Sequence, residues 1–452
     1  MKIIIIGCGR VGKTLAEKLN AEGNDVVVVD TRATEVEAVA NRCDIMGVVG
    51  NGATHTVQRE AGVETADLLI AVTNSDELNL LCCIVAKKVG NCQTIARVKN
   101  PEYSKESPYL KQGLGLAMVI NPEYEAAKEI ARVLRFPAAI KIEPFAKGKV
   151  ELIKFKITPE CKLVGLSVRE MGGKYPSDIL VSTIERGEEA YIARGDSVFE
   201  EKDIVSIIGT PKSAADFLTK IDHKESSIKN ALVVGGGDIT HYLCEILDKS
   251  GISLKIIEKD RKICEELCTR WEKLDVICGD PAEQELLLEE GIARSGAFVA
   301  LSDVDEENIL LSMYAQSVQQ GKLVTKINRS DYDSVINRLE LDTVICPINT
   351  ASDSILRFVR ATNNAMGSSN VETLYNIIPD QVEAAEFIIK ENSPIAGKPL
   401  SELKFKKDVL IASISRDGEV IVPRGHSVIE KDDKVVVVSK HLGLEDVSEI
   451  LK

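Results

Sequence analysis

What this chain lacks narrows what it can be. No apolar run is longer than a strand: Ile3 to Ile6 and Val26 to Val29 are among the longest, far short of the roughly 18 residues a membrane-spanning helix needs. Basic charge is in deficit, with 56 Lys and Arg against 70 Asp and Glu and a net charge of -14. That field repels nucleic acid and anionic lipid. The eleven cysteines include no CxxC pair, and no histidine is close in sequence to Cys82, Cys83, Cys264 or Cys268 to complete a zinc set. Cys82 and Cys83 sit in an apolar helix-like run, while Cys264 and Cys268 lie one helical turn apart. They read as reduced thiols used as small buried hydrophobes, with no metal site. The N-terminus leads straight into a strand with no basic, apolar and small-residue succession of a signal peptide, so the expected compartment is the cytoplasm.

What is present is the composition of a modular globular protein, 28% charged and 44% hydrophobic over 452 residues, enough for three or four domains. The first 120 residues alternate short apolar runs with amphipathic ones. Strands are expected at Lys2 to Ile6, Val26 to Val29, Asp44 to Val48, Leu68 to Val72, Thr94 to Val98 and Met118 to Ile120. Helices are expected between them, including Arg10 to Ala21, with Val11, Leu15 and Leu19 on one face, and Asp76 to Val89. Strands joined by helical crossovers make a doubly wound parallel sheet. From Asn121 the pattern changes to "NPEYEAAKEIARVL", a helix capped by Asn121 with Pro122 in its first turn. Such a helix can bridge to another subunit. A small α+β unit follows, with a turn at Arg186-Gly187, another at Gly195-Asp196, and a last strand from Asp203 to Ile208.

The programme then repeats. Gly7, Gly9 and Asp30 correspond to Gly235, Gly237 and Glu258. Gly50, Thr73, Asp76, Glu77, Asn79 and Arg97 correspond to Gly279, Ser302, Asp305, Glu306, Asn308 and Lys326. Asn121-Pro122 returns as Cys346-Pro347, and "ARGDSVFEEKDIVSIIG" as "PRGHSVIEKDDKVVVVS". The expected order is therefore a Rossmann-like domain at 1–120, a bridging helix at 121–138 and a small domain at 139–222. A second Rossmann-like domain at 228–345, a second bridging helix at 346–365 and a second small domain at 370–452 complete it. The polar stretch Thr219 to Lys229 reads as the linker between halves.

The turn Gly7-Cys8-Gly9-Arg10-Val11-Gly12 follows a strand, opens a helix and precedes an acid, Asp30, at the end of the next strand. That context is the dinucleotide-binding fingerprint. Gly7 permits the tight turn, Gly9 lets backbone approach a pyrophosphate, Gly12 lets helix pack on sheet, and Asp30 accepts from a ribose diol while repelling a 2′-phosphate. NAD(H) is the expected ligand, although Arg32 has the chemistry to bind a 2′-phosphate. Thr73 and Asn74, after the fourth strand, and Arg97, ending the fifth, should line the same crevice. The second copy offers Gly235-Gly236-Gly237-Asp238-Ile239-Thr240 with Glu258 for the ribose. Thr240 in place of the third glycine and Asp238 near the phosphate position both predict weaker binding there.

A dehydrogenase also needs an acid or base poised for proton transfer. The five histidines, His55, His223, His241, His426 and His441, never recur at corresponding positions of the repeat, so no catalytic residue is expected and the alternative of an NAD-dependent oxidoreductase is thin. A DNA-binding redox sensor is opposed by the net charge and the want of a basic recognition helix. The succession from "IIIIGCGRVG" through "GNGATHTVQREAGVETADLLIAVTNSDELN" and "ARVKNPEY" to "LVGLSV" and "ARGDSVFEEKDIVSIIG" resembles the RCK, or KTN, module. Two modules in tandem resemble the TrkA family of bacterial potassium-uptake regulators over nearly the full length. The resemblance implies two Rossmann-like RCK-N domains, each followed by an α+β RCK-C domain. It also implies a cytoplasmic protein, peripheral on the membrane, that forms a homo-oligomeric ring, a tetramer of tandem chains, under a TrkH-type potassium translocator. It would gate that translocator in response to NAD(H), ATP or ADP. Carried over residue by residue, the first ligand site would use Gly7, Cys8, Gly9, Arg10, Val11, Asp30, Thr73, Asn74 and Arg97. The second would use Gly235, Gly236, Gly237, Asp238, Ile239, Glu258, Ser302, Asp303 and Lys326. Asn51 departs from the family's Gly-Asp dipeptide, which Gly279-Asp280 keeps.

Overall fold

The computed structural model describes residues 1–100, 103, 106–137, 139–145, 149–187, 189–221, 228–248, 250–272, 274–328, 339, 341–366, 371–378, 381–417, 419–441, 444 and 446–452. Because Ile3, Ile4 and Ile5 are wholly buried and Val26 to Val29 nearly so, these runs belong to a parallel sheet covered on both faces, where continuous apolar sequence replaces alternation. The first Rossmann module runs β1 (Lys2–Ile6), α1 (Arg10–Ala21), β2 (Asp25–Asp30), α2 (Ala33–Cys43), β3 (Met46–Val49), α3 (His55–Glu60), β4 (Leu68–Ala71), α4 (Asp76–Val89), β5 (Gln93–Arg97), α5 (Ser107–Leu114), β6 (Met118–Ile120) and α6 (Pro122–Arg135). Its sheet has the order β3-β2-β1-β4-β5-β6. The order reverses direction between β1 and β4, and that switch point opens a crevice at the strand C-termini. The third strand starts later than expected, because Asp44 takes a left-handed conformation, φ 53°, to end α2.

The first small module comprises β7 (Ala139–Phe145), β8 (Val150–Lys156), α7 (Val168–Lys174), β9 (Ile179–Arg186), β10 (Glu189–Ile192), β11 (Ile204–Gly209) and α8 (Pro211–Lys220), with the antiparallel order β10-β9-β11-β8-β7. Here Asp203, expected to begin a strand, is instead a buried carboxylate. Arg186 grips it with Nε at 2.8 Å and Nη2 at 2.8 Å. Asp203 also accepts from the Glu200 amide at 2.8 Å. The second small module repeats the clamp with Arg416 and Asp433 at 2.9 and 2.8 Å, which gives the recurring "SVxExxD" motif a structural reason.

The second Rossmann module runs β12 (Asn230–Val234), α9 (Asp238–Leu247), β13 (Ser253–Glu258), α10 (Arg261–Arg270), β14 (Asp275–Cys278), α11 (Gln284–Glu289), β15 (Ala297–Ala300), α12 (Asp305–Val318), β16 (Lys322–Lys326), β17 (Thr343–Ile345) and α13 (Pro347–Met366). The second small module has β18 (Val371–Ile378), β19 (Val382–Ile388), β20 (Val409–Arg416), β21 (Glu419–Ile421) and β22 (Lys434–Ser439). Their sheets are ordered β14-β13-β12-β15-β16-β17 and β18-β19-β22-β20-β21. The order predicted along the chain is large, small, large, small, but in space like packs with like. One compact unit is Met1–Ala131 with Lys229–Leu356, the other Arg132–Ile228 with Arg357–Lys452. In the second unit one face of each small sheet joins a shared core of Phe145, Leu152, Ile208, Ala384 and Val438. The other faces keep cores of their own. Most of the polar stretch read as a linker, 222–227, lies outside the described residues.

Candidate functional site

The turn after β1 is shaped by its own first glycine. Gly7 has φ +107°, a conformation that strains any side chain, and a Cβ there would also stand 3.0 Å from the Val72 carbonyl and the Thr73 amide, just past β4. Gly12 is still tighter, since its Cβ would fall 1.8 Å from the Gly7 carbonyl oxygen. Gly9 faces open space, with nothing within 4 Å. It ends the turn in extended geometry, φ -71° and ψ -172°, and opens α1 with no side-chain cap. The first-turn amides of α1 are therefore left for water or an anion.

Asp30 does more than wait for a ribose. Its Oδ2 accepts from the Cys8 amide at 2.8 Å and its Oδ1 from the Arg32 amide at 3.0 Å, tying the end of β2 to the turn. Burial pushes the carboxyl up, but the hydrogen bonds from Arg32 and Cys8 outweigh it and hold the group below the usual carboxylate range. Arg32 leans on Asp30 at 3.4 Å and on Glu35 at 3.5 Å, and Lys13 meets Glu35 at 2.6 Å. Cys8 itself is buried, and that burial pushes its thiol up to about 12. It contributes its amide, not its sulfur.

The far wall is organised by a residue seen in the sequence only as a matching position. Asn79 is wholly buried. Its Oδ1 accepts from the Thr73 amide at 2.8 Å and hydroxyl at 2.7 Å, while its Nδ2 donates to the Thr73 carbonyl at 3.2 Å and the Arg97 carbonyl at 3.0 Å. One side chain thus fixes the loop after β4 and the end of β5. The cap of α4 is Ser75, which accepts from Leu78 at 3.2 Å, so Thr73 and Asn74 stay in the crevice loop. Arg97 lines that crevice, and its Nε is buried and unpartnered, an orphaned donor that calls for an explanation.

The second turn has the same backbone. Gly235 has φ +98°, and Gly237 reaches φ -70° and ψ -171° before α9. Thr240 sits in this turn with its hydroxyl donating to the Gly235 carbonyl at 2.6 Å and its amide to the Gly237 carbonyl at 2.9 Å. Glu258 accepts from Gly236 at 2.6 Å and Asp260 at 2.8 Å. Asn308 repeats Asn79, accepting from Ser302 at 2.8 Å and donating to Lys326 at 3.0 Å. Even Asn51 and Asp280 do the same work, accepting from Ala53 at 3.0 Å and Ala282 at 2.9 Å. The amide thus suffices for the turn that the carboxylate makes.

The charges differ. Where the first module places Arg10 at the head of its helix, Lys13 one turn on, Arg32 after the acid and Asn74 on the far loop, the second places Asp238, His241, Asp260 and Asp303. Lys326 stands where Arg97 does, but is held by Asp303 at 3.0 Å. The two helix heads face one another across a cleft of about 730 Å³ within one unit. Gly9, Arg10, Val11, Asn74 and Arg97 line one side; Gly237, Asp238, Ile239, Asp303 and Lys326 line the other. Gly7, Asp30 and Thr73 line an adjoining recess. Pro122 and Glu123, at the start of α6, line the same cleft, and this part of the chain reaches the second module. Glu129 accepts from Thr350 at 2.8 Å, and Asn121 donates to the Tyr242 hydroxyl at 3.0 Å.

Comparison with known proteins matches both ends of this architecture. The TrkA-N domain family model matches residues 3–122 and 231–347, and the TrkA-C domain model 152–222 and 384–452. The Trk system potassium uptake protein TrkA homolog 1 of Methanosarcina mazei is 33% identical over 460 residues, covering 100% of each chain. Trk system potassium uptake protein TrkA of Vibrio alginolyticus is 32% identical, covering 97% of this chain and 95% of its own. Among solved structures, the GsuK channel has TM-score 0.65 at 16% identity, covering 97% of this chain and 76% of its own. The GsuK channel bound to NAD gives TM-score 0.63 over the same shares, also at 16% identity. At that identity the likeness is one of fold.

Proposed function

The chain belongs to the TrkA family of Trk-system potassium uptake proteins, and from that premise we propose that it is a regulatory subunit, not an enzyme, that senses NAD(H), and ATP or ADP at the same site. The observation that carries the reading is the first crevice. It combines an open Gly9, uncapped helix amides and the unpartnered Nε of Arg97, a donor set suited to a pyrophosphate. Asp30 retains lone pairs beyond the amide bonds it accepts, so a ribose diol can donate to it. Arg32, engaged by Asp30 and Glu35, is a poor receptor for a 2′-phosphate, which favours NAD(H) over its phosphorylated relative. NAD is also the ligand of one fold neighbour.

Occupancy of this crevice would set the angle between the two Rossmann modules, whose helix heads share the cleft. Helices α6 and α13 would carry that angle into a homo-oligomeric ring, a tetramer of tandem chains, which gates a TrkH-type translocator from the cytoplasmic face of the membrane. No helix among the described residues is long and apolar enough to cross a membrane, so the potassium path itself would belong to the partner. Calorimetric titration of the full chain with NADH, NAD, ATP and ADP, beside potassium uptake in cells, tests the reading. Asp30→Ala is expected to remove NADH binding and nucleotide-dependent uptake together. Lost binding with nucleotide-dependent uptake intact overturns it.

A further inference from the structure

The duplication isolates a pair of thiols that the fold does not require. The fourth residue of α2 is Val36 and the last of β3 is Val49; at the same two places the second module has Cys264 in α10 and Cys278 ending β14. Valines fill these positions in one module, so cysteines in the other are not demanded by packing. Cys264 is 6% exposed, and its thiol donates to the Glu258 carbonyl at 3.4 Å. Cys278 is exposed and is the parallel-sheet partner of Glu258. Both cysteines therefore converge on one residue, since the Glu258 carbonyl that accepts from the Cys264 thiol also accepts, at 3.0 Å, from the Gly279 amide next to Cys278. No group of three or more His, Cys, Asp or Glu among the described residues forms a metal site, which leaves thiol chemistry.

We propose that Cys264 and Cys278 form a reversible disulfide, closed by a peroxide, that makes the second Rossmann module an oxidation sensor. The exposed Cys278 sulfur attacks one peroxide oxygen; the O–O bond breaks, water leaves, and Cys278 becomes a sulfenic acid. The Cys264 sulfur then attacks that sulfur, the S–O bond breaks with loss of a second water, and the S–S bond forms. Two electrons pass from the two sulfurs to the peroxide, and both thiol protons end in water. Burial pushes the Cys264 thiol up to about 12, so the exposed Cys278 is the one that meets the peroxide first.

Closure removes the S–H donor from the Glu258 carbonyl, which also accepts from the Gly279 amide at 3.0 Å. The Glu258 carboxylate holds the Gly236 amide of the glycine-rich turn at 2.6 Å. Oxidation would thus act on the residue that anchors the turn and change how the second module takes a nucleotide. That consequence rests on the nucleotide reading; the disulfide does not.

The test treats full-length Cys268→Ser protein with hydrogen peroxide, blocks free thiols with N-ethylmaleimide and maps tryptic peptides by mass. A peptide containing Cys264 joined to one containing Cys278, separated by dithiothreitol and absent from Cys268→Ser/Cys278→Val, is the expected result. Since valine occupies the matching position in the first module, that variant should fold, and circular dichroism checks it. Recovery of both cysteines alkylated, or of Cys278 as sulfinic acid with Cys264 still free, overturns the proposal. ADP titration of the oxidised and reduced protein is expected to differ at least threefold in affinity. A mapped disulfide with identical titrations keeps the disulfide and overturns its coupling to the turn.

Discussion

The two Rossmann modules share a backbone and differ in charge. Their turns end in the same extended geometry, φ -71° and ψ -172° against φ -70° and ψ -171°, and each buries an asparagine that joins the same two loops. Yet Arg10, Lys13 and Arg32 in one become Asp238, His241 and Asp260 in the other. Backbone shape in such a crevice is set by glycines and buried hydrogen bonds, whereas affinity for an anion is set by what projects from them. A duplicated module can therefore keep its form while its ligand preference drifts. Thr240, which stands where the first module has a glycine, is held by a hydrogen bond to the turn. The electrostatic substitutions around it are the ones expected to weaken binding.

The largest way to separate the modules is at that third-glycine position. Gly12→Ala puts a Cβ against the Gly7 carbonyl oxygen and is expected to cost about 3 kcal/mol, read as a lower denaturation midpoint. Thr240→Gly loses one hydrogen bond and gains a helix glycine, about 2 kcal/mol together. Unchanged or raised stability in Thr240→Gly would contradict the claim that the hydroxyl supports the second turn. Next is the cation ending the fifth strand. Arg97→Ala is expected to weaken NADH or ADP binding ~10- to 100-fold, the loss of a charge-assisted contact. Lys326→Ala, whose lysine already serves Asp303, should change it less than about twofold. Calorimetry reads both, and a large Lys326 effect would show the second site to be the occupied one.

Reversing the sign at the second helix head is a smaller step. Asp238→Arg should raise ADP affinity of the second module ~5-fold, consistent with the roughly 1 kcal/mol that a charge at a helix N-terminus is worth. The smallest effect concerns pH. Burial, with Arg270 nearby, pushes His241 below its ordinary pKa. The unfolded chain therefore takes up a proton near pH 6.5 that the folded module resists, so stability falls as pH drops below about 6.5. Urea melts at pH 7.5 and 5.5 should show that loss reduced in His241→Gln; an unchanged loss assigns it elsewhere.

Much of this was readable beforehand for physical reasons. Ile3 to Ile6 could only be a doubly covered strand, and a glycine-rich turn between strand and helix with an acid ending the next strand is a local pattern. What escaped was non-local. Asp203 read as the start of a strand because nothing nearby announces Arg186, seventeen residues back, as its partner. Asp30 read as a ribose acceptor, and the sequence could not tell that it also holds the Cys8 amide. Asn79 recurred as Asn308, a signal that was visible, but only the meeting of two loops explains it.

The sequence by itself determined the element order, the doubling and the glycine-rich turns, since these depend on the period of apolar residues and on backbone freedom at single positions. Only the tertiary structure decided that like modules pack with like, that the two helix heads face each other across one cleft, and that two cysteines fourteen residues apart converge on Glu258. Those facts depend on which surfaces bury each other, a choice made by packing between distant segments and written in no local stretch of the chain.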